Sequence, residues 1–177
     1  MPKLVEVIHA FGHENIRSSH PTTIMLTKER QVTQRGDCVV AVAADKSVAD
    51  LSKEFKNALR KPDAKLTIEL RVDDLVGQIT AYGSPELTLN HPDDLVIRKS
   101  EFFSDRTLAV KADKSSCDLS RAVVEKLKNP QLVPQRTPHQ HHRFHRHDNL
   151  PCLAKPKNYP QTRHSSHRTR PNHYSWI

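Results

Sequence analysis

The stretch Ala41-Val-Ala-Ala-Asp-Lys-Ser-Val-Ala-Asp-Leu-Ser52 returns 68 positions later as Ala109-Val-Lys-Ala-Asp-Lys-Ser-Ser-Cys-Asp-Leu-Ser120. Between residues 41–62 and residues 109–130, 11 of 22 aligned residues are identical. Residues 4–35 likewise align with residues 75–106, at an offset of 71 positions. The sequence therefore predicts a single duplicated domain over residues 1–130, with a first repeat at residues 4–62 and a second repeat at residues 75–130.

Basic charge is concentrated at the end of the chain. Residues 1–127 contain 19 Lys and Arg against 19 Asp and Glu, so their formal net charge is zero. Residues 128–177 contain nine Lys and Arg against the single acid Asp148, and they account for the formal charge of +8. The charge therefore gives no reason to expect nucleic-acid binding by the duplicated domain. In the tail it predicts only nonspecific, salt-dependent contact with nucleic acid.

Length and composition favour a small intracellular domain. About 130 residues are enough for one domain with its own core. The start of the chain does not have the pattern of a signal peptide, and no apolar run is long enough to span a bilayer, so we expect a cytoplasmic protein without membrane contact. Cys38, Cys117 and Cys152 are odd in number and far apart, which predicts neither a disulfide framework nor a zinc site. Glycine-rich phosphate loops are absent, and we expect no cofactor.

Hydrophobic patterns predict seven strands and two helices. The strands cover residues 4–11, 23–27, 38–43, 66–72, 76–82, 95–98 and 107–111. One helix face carries Val48, Leu51, Phe55 and Leu59, and the other carries Leu119, Val123 and Leu127. Each repeat is thus strand, strand, strand, helix, with the strand at 66–72 linking them. The expected fold is a β-rich α+β domain, a mainly antiparallel sandwich or barrel-like sheet with pseudo-two-fold symmetry.

The second repeat ends where the pattern predicts one more strand. The counterpart of residues 66–72 would fall at about residues 134–140, where prolines remove ladder donors and few side chains are apolar. Residues 131–177 have the composition of a disordered His/Arg/Pro-rich tail. A frameshift near codon 131 and a genuine extension both account for this change. The histidine-rich tract at residues 139–147 predicts adventitious metal binding at most.

A series of short motifs runs through both repeats. The motifs are Arg35-Gly36-Asp37-Cys38, Ala44-Asp45-Lys46, Asp50-Leu51, Gly83-Ser84-Pro85, His91-Pro92, Val96-Ile97-Arg98-Lys99-Ser100, Arg106-Thr107-Leu108 and Ala112-Asp113-Lys114. In their order and spacing they resemble the archaeal family called domain of unknown function 371, over about residues 4–130. The resemblance implies a β-rich single domain of archaeal type and no particular activity, substrate or cofactor. It also implies a strand after the second helix, where this sequence departs from the family.

The duplicated Asp-Lys-Ser motif is the first candidate binding feature. Lys46 and Lys114 each precede a predicted helix, where free backbone N–H groups attract anions. The same segments also have the spacing of a capping box, with Ser47 opposite Asp50 and Ser115 opposite Asp118. Capping alone is therefore an alternative to ligand binding.

Repeated basic residues add to this candidate. Arg35 aligns with Arg106, and Lys28 aligns with Lys99. The leading hypothesis is a small binding domain in which Lys46, Lys114, Arg35 and Arg106 hold an anionic ligand or an acidic partner. Ordinary surface ion pairs are the alternative interpretation of these residues.

A repeated His-Pro motif supports a second hypothesis. His91, with Asp93 or Asp94 beside it, has the composition of a general base, and the protein would then be an enzyme acting on a phosphorylated or carboxylated small molecule. The alternative is a turn before a strand, since the first repeat has His20-Pro21 without the acids. A third hypothesis, an RNA-associated accessory protein, requires a strongly one-sided basic face.

Overall fold

A computed structural model of the chain describes residues 3–129 and 174–176. The structure is mixed α+β, with mostly strands and two short helices, as the sequence predicts. Its elements are β1 (Ile8–Ala10), β2 (Thr23–Thr27), β3 (Val39–Ala41), α1 (Lys53–Leu59), β4 (Lys65–Val72), β5 (Leu75–Tyr82), β6 (Asp94–Arg98), β7 (Thr107–Ala109), a 3-10 helix (Ser116–Asp118), α2 (Arg121–Leu127) and β8 (Tyr174–Trp176). Neither α-helix is long or apolar enough to cross a membrane.

The strands form two four-stranded sheets, neither of which closes on itself. The first sheet has the order β1-β8-β4-β5 and is antiparallel throughout. In the second sheet, β3-β2-β6-β7, the central pair β2–β6 is antiparallel and the two edge strands add in parallel. Isolated bridges between Phe11 and Val42 and between Tyr82 and Val110 connect the two sheets.

One apolar core is common to both sheets. Side chains alternate along a strand, and β4 accordingly buries every second residue. A cavity of about 30 Å³ is lined by Ile8, Leu66 and Ile68 of the first sheet and by Leu26, Leu95, Ile97 and Leu108 of the second. The face of the second sheet that carries Met25 and Val96 therefore points away from this core.

Both helices begin later than their apolar patterns predict. The N-caps are Ser52 and Ser120, whose hydroxyls accept hydrogen bonds of 3.3 Å from the N–H groups of Phe55 and Val123. Val48 and Leu51 are buried as expected, but they precede α1. The cause is local, because the Asp50 carboxylate accepts the N–H of Ser47 and closes a separate turn. The corresponding turn of the second repeat is the 3-10 helix.

Two glycines allow each repeat to pack against the helix of the other. Gly12 lies against the backbone of Leu127 at the end of α2, and Gly83 lies against Leu59 at the end of α1. A Cβ atom at either glycine would overlap a backbone carbonyl oxygen. The repeats are thus interlocked, and an alanine cannot replace either glycine without moving a helix.

Strand β8 occupies the space between β1 and β4. Its residues pair with Ile8–Ala10 on one side and with Leu70 and Arg71 on the other. The composition of this segment predicts no strand. The strand forms because its backbone pairs with β1 and β4, which are far away in sequence. The rest of the predicted disordered tail, including the expected strand position at 134–140 and the histidine tract, lies outside the described residues.

Candidate functional site

The aspartate of each Asp-Lys-Ser motif binds a strand of the first sheet. The Asp45 carboxylate accepts the N–H of His9 at 2.8 Å, and Asp113 accepts that of Thr80 at 2.9 Å. In return, the N–H of Asp45 donates to the carbonyl of His9, and the N–H of Asp113 donates to the carbonyl of Thr80. These aspartates therefore extend the sheet edge, which is a structural role.

The serine of each motif closes the turn before the helix. Ser115 is fully buried and donates both its N–H and its hydroxyl to Asp118 at 2.8 Å, while Lys99 lies 3.1 Å from the same carboxylate oxygen. These hydrogen bonds, the backbone one first, lower the pKa of Asp118 to about 2. The first repeat has the same arrangement in Ser47, Asp50 and Lys28. Ser115 thus caps the 3-10 helix and Ser47 closes the corresponding turn, whereas α1 and α2 themselves are capped by Ser52 and Ser120.

The predicted ligand residues Lys46 and Lys114 both have partners within the fold. Lys46 Nζ lies 2.7 Å from a carboxylate oxygen of Glu6, and Lys114 Nζ donates to the carbonyl of Gln78 at 2.7 Å. Burial raises the pKa of Glu6, but hydrogen bonds from Lys46 and from the start of α1 outweigh it and lower the pKa to about 2. Gly77 takes the aligned position of Glu6, so Lys114 has no corresponding acid.

Arg35 and Arg106 do not occupy equivalent places. The carbonyl of Arg106, just before β7, accepts the N–H of Val96 at 2.9 Å, and the carbonyl of Cys38, just before β3, accepts that of Met25 at 2.9 Å. Arg35 is exposed in a loop that is three residues longer than its counterpart. The hydrogen bonds therefore pair Arg106 with Cys38.

Three predicted residues meet at the carboxylate of Asp94. Its Oδ2 lies 3.1 Å from Nη1 of Arg106 and 3.9 Å from Nε2 of His91, and only 9% of Asp94 is exposed. Nδ1 of His91 accepts the backbone N–H groups of Asp93 and Asp94 at 3.2 and 2.9 Å. The proton of the neutral ring is therefore on Nε2, which makes His91 a hydrogen-bond donor on this side.

Arg98 of β6 completes this group, although it is absent from the residues predicted to bind a ligand. Its half-buried guanidinium donates to Thr107 Oγ1 at 3.2 Å and to Ser104 Oγ at 3.4 Å. Within residues 3–129 no carboxylate forms an ion pair with it. Burial lowers the pKa of Arg98, and the charge of Arg106 lowers it further. Among the described residues, this positive charge thus has no opposite charge in contact with it.

We call Asp94, Arg98, Phe102 and Arg106 the arginine cluster. The cluster is on the outer face of the second sheet, because Asp94 and Arg98 alternate with the core residues Leu95 and Ile97. Phe102 is 62% exposed, with its ring centroid 4.9 Å from Cζ of Arg98. The counterparts in the first repeat are Thr23, Thr27, Gln31 and Cys38. Only the second repeat carries the cluster, and the sequence shows this difference at Asp94, Arg98 and Phe102 but not at Arg106, which aligns with Arg35.

Cys38 borders the cluster, but within residues 3–129 its thiol has no activating partner. Burial and the charge of Asp37 raise its pKa, while the two arginines act weakly in the opposite direction. Its thiol therefore stays protonated at neutral pH, as expected for a small, partly buried side chain.

A separate pocket of about 450 Å³ lies beside the end of β5. Its charged lining residues are Asp63, Glu86, Glu101 and Lys111, and Lys111 pairs with Glu101 at 3.1 Å. The excess of carboxylates gives this pocket a negative charge, which would repel an anion. Within residues 3–129 and 174–176, no group of three or more His, Cys, Asp or Glu side chains is arranged to hold a metal ion.

Comparison with known proteins gives a family match that spans most of both repeats. A family model described as "Domain of unknown function (DUF371)" matches residues 8–134. The chain is also 43% identical over 122 residues to an uncharacterised protein of Methanocaldococcus jannaschii, and the alignment covers 69% of this chain and 90% of that protein. The matched region includes the whole arginine cluster.

Proposed function

We propose that this chain, which belongs to the DUF371 family, is a binding domain that holds an anionic small molecule on the arginine cluster. The observation that carries the proposal is the half-buried Arg98 guanidinium, which has hydroxyl partners but no carboxylate partner within residues 3–129. Removing a charge from water is unfavourable unless an opposite charge compensates it. A phosphate or carboxylate group would supply that compensation.

Arg106 gives the ligand a second donor group. It uses Nη1 for Asp94, its side chain remains 44% exposed, and within residues 3–129 its other N–H groups bond to no protein atom, which leaves them for a ligand. Guanidinium groups bind phosphate and carboxylate oxygens through charge-assisted hydrogen bonds in a fixed planar geometry. Lys46 and Lys114 bind partners within the fold, so the proposal rests on Arg106, which the sequence also predicts, and on Arg98.

Isothermal titration of the full chain with inorganic phosphate and with citrate tests this function. We expect Arg98→Gln and Arg106→Gln each to weaken binding at least about tenfold, since each removes charge-assisted hydrogen bonds. Arg71→Gln is the matched control, because Arg71 is an exposed arginine of the other sheet that pairs with Glu69. This control should bind like the wild type.

Two results would overturn the proposal. One is the absence of binding by either anion to the wild-type chain. The other is binding that both cluster substitutions leave unchanged, or that Arg71→Gln weakens equally, because general electrostatic attraction would then explain it.

An enzyme acting on a phosphorylated or carboxylated molecule is the second candidate, favoured by the position of His91 next to the cluster. Its Nε2 lies 3.9 Å from the carboxylate that holds Arg106. The backbone bonds to Nδ1 favour proton donation over the base role expected from the sequence. If the protein is an enzyme, His91→Gln should abolish turnover of a phosphate ester while leaving its binding unchanged.

The proposal also includes the architecture, a sandwich of two sheets related by a pseudo-two-fold axis through the Met25–Val96 pair. It is supported by matching contacts, such as the bridges Phe11–Val42 and Tyr82–Val110.

We further propose a cytoplasmic location, consistent with the free thiols of Cys38 and Cys117. Cell fractionation with a specific antibody would test this location.

A further inference from the structure

Phe102 is placed where a ligand bound to the arginine cluster would meet it. Its ring lies 4.9 Å from Cζ of Arg98, and 62% of the residue is exposed to solvent. Within residues 3–129, Val76 is equally exposed, but Phe102 is the exposed apolar side chain that lies against a guanidinium of the arginine cluster. Arg98 covers part of the ring through a cation–π contact, and most of the residue faces solvent.

The fold does not require an aromatic side chain at this position. The neighbouring residue Phe103 and its aligned counterpart Val32 both pack against the core, so the loop needs an apolar anchor there. At the position of Phe102 itself the first repeat has Gln31, which is exposed and lies 3.2 Å from His13. Phe102 is therefore an addition made only in the second repeat, next to an arginine that is also found only there.

We propose that the ligand of the arginine cluster carries its anionic group on an aromatic ring, which packs against Phe102 while Arg98 and Arg106 hold the anion. This inference rests on the proposed anion-binding function. Aromatic rings prefer offset-stacked or edge-to-face contacts, which Phe102 can offer to a planar ligand without moving the sheet beneath it.

The test compares three monoesters of the same charge: phenyl, cyclohexyl and methyl phosphate. We expect phenyl phosphate to bind the wild-type chain about three- to tenfold more tightly than the other two, as one aromatic pair would provide. In Phe102→Gln, which introduces the residue of the first repeat, the three esters should bind equally and methyl phosphate should keep its wild-type affinity. Phe102→Tyr should retain the preference.

Val76→Gln is the matched control for loss of an exposed apolar side chain, because Val76 is also 62% exposed but lies on β5 of the other sheet. It should leave the preference for phenyl phosphate unchanged. Equal binding of the three esters to the wild type would overturn this inference and leave anion binding intact. A preference that survives Phe102→Gln, or that cyclohexyl phosphate shares, would also overturn it. Failure of all three esters to bind would remove the proposed function as well.

Discussion

The two repeated sequence segments form several matching backbone hydrogen bonds, but their side chains differ on the outer face of the second sheet. The N–H of Ala49 donates to the carbonyl of His91 at 3.3 Å, and that of Cys117 donates to His20 at 3.2 Å, so each repeat supports the His-Pro turn of the other. A contact that occurs in both repeats is explained by its contribution to holding the fold together. The arginine cluster occurs once, and its counterparts show that threonine, glutamine and cysteine satisfy the same backbone positions. A side chain that only one repeat carries is therefore the better place to look for function.

The agreement includes unfavourable backbone conformations. Ser18 and Leu89, which are aligned in sequence, have φ angles of 49° and 52°, and Ala43 and Lys111 likewise have 49° and 52°. This left-handed region is uncommon for residues other than glycine, and costs more for a side chain as bulky as leucine. Its presence at both aligned positions indicates that the packing of the repeats imposes it.

The largest expected effect comes from the interlocking glycines. Gly12→Ala and Gly83→Ala should each reduce the free energy of unfolding by about 3 kcal/mol or more, because the new Cβ overlaps a helix backbone that cannot shift alone. Urea unfolding measures this, and a difference of several kcal/mol between the two variants would mean that the repeats are not packed equivalently. Gly77→Ala is the control, since its Cβ would meet only Leu70 at 3.9 Å.

The sequence predicts the strands well where local residue patterns determine them. The long strands β4 and β5 show a period of two, and their ends differ from prediction by only one residue. The helix starts were wrong because the turn closed by Asp50 competes with the helix over the same apolar pattern. Strand β8 was not predicted, since it depends on pairing with β1 and β4, far away in sequence.

The sequence predicts the candidate site only in part, because the residues that occur in both repeats are mostly those that the fold itself uses. From the sequence, His91 and Asp94 belong to one hypothesis and Arg106 to another, and the structure brings all three together at one carboxylate. Arg98 and Phe102 were missed because neither is repeated. The equivalence of Arg106 with Cys38 could not be read from the alignment, since it depends on where the longer loop before β3 gains its three residues.

The ion pair between Glu6 and Lys46 is a difference between the repeats that affects stability. The pKa of Glu6 falls from 4.5 to about 2 in the folded state, so the unfolded chain binds more protons in this range and acid favours unfolding. We expect Glu6→Gln to cost about 1 to 3 kcal/mol at neutral pH. This cost should shrink as the pH falls from about 4.5 toward 2.

Urea unfolding of Glu6→Gln and the wild type at several pH values measures this loss. Lys114→Gln is the matched control, because Lys114 bonds to a carbonyl and has no acid at the position of Gly77. Its effect should be the same throughout this pH range. A constant difference between Glu6→Gln and the wild type would show that packing, and not the charge of Glu6, determines the cost.

Removing the helix N-cap should reduce the free energy of unfolding equally in the two repeats. Ser52→Ala and Ser120→Ala each remove a hydroxyl that accepts a backbone N–H at 3.3 Å, and we expect each to cost about 0.5 to 2 kcal/mol. Glycine at the same positions should cost only a few tenths, since it tolerates the cap backbone. Thermal unfolding of the four variants gives the comparison, and a cost confined to one repeat would contradict equivalent capping.

The smallest effects are expected at the surface lysines that pair with the turn aspartates. Lys28 lies 3.0 Å from Asp50 and Lys99 lies 3.1 Å from Asp118, and both lysine side chains are more than a third exposed. Water and salt screen such pairs, so Lys28→Gln and Lys99→Gln should each destabilise less than loss of a cap, and less still in 1 M salt. Unfolding at low and high salt measures both. If Lys99→Gln also weakened phosphate binding while Lys28→Gln did not, the functional difference between the repeats would extend beyond the arginine cluster to the turn at Asp118.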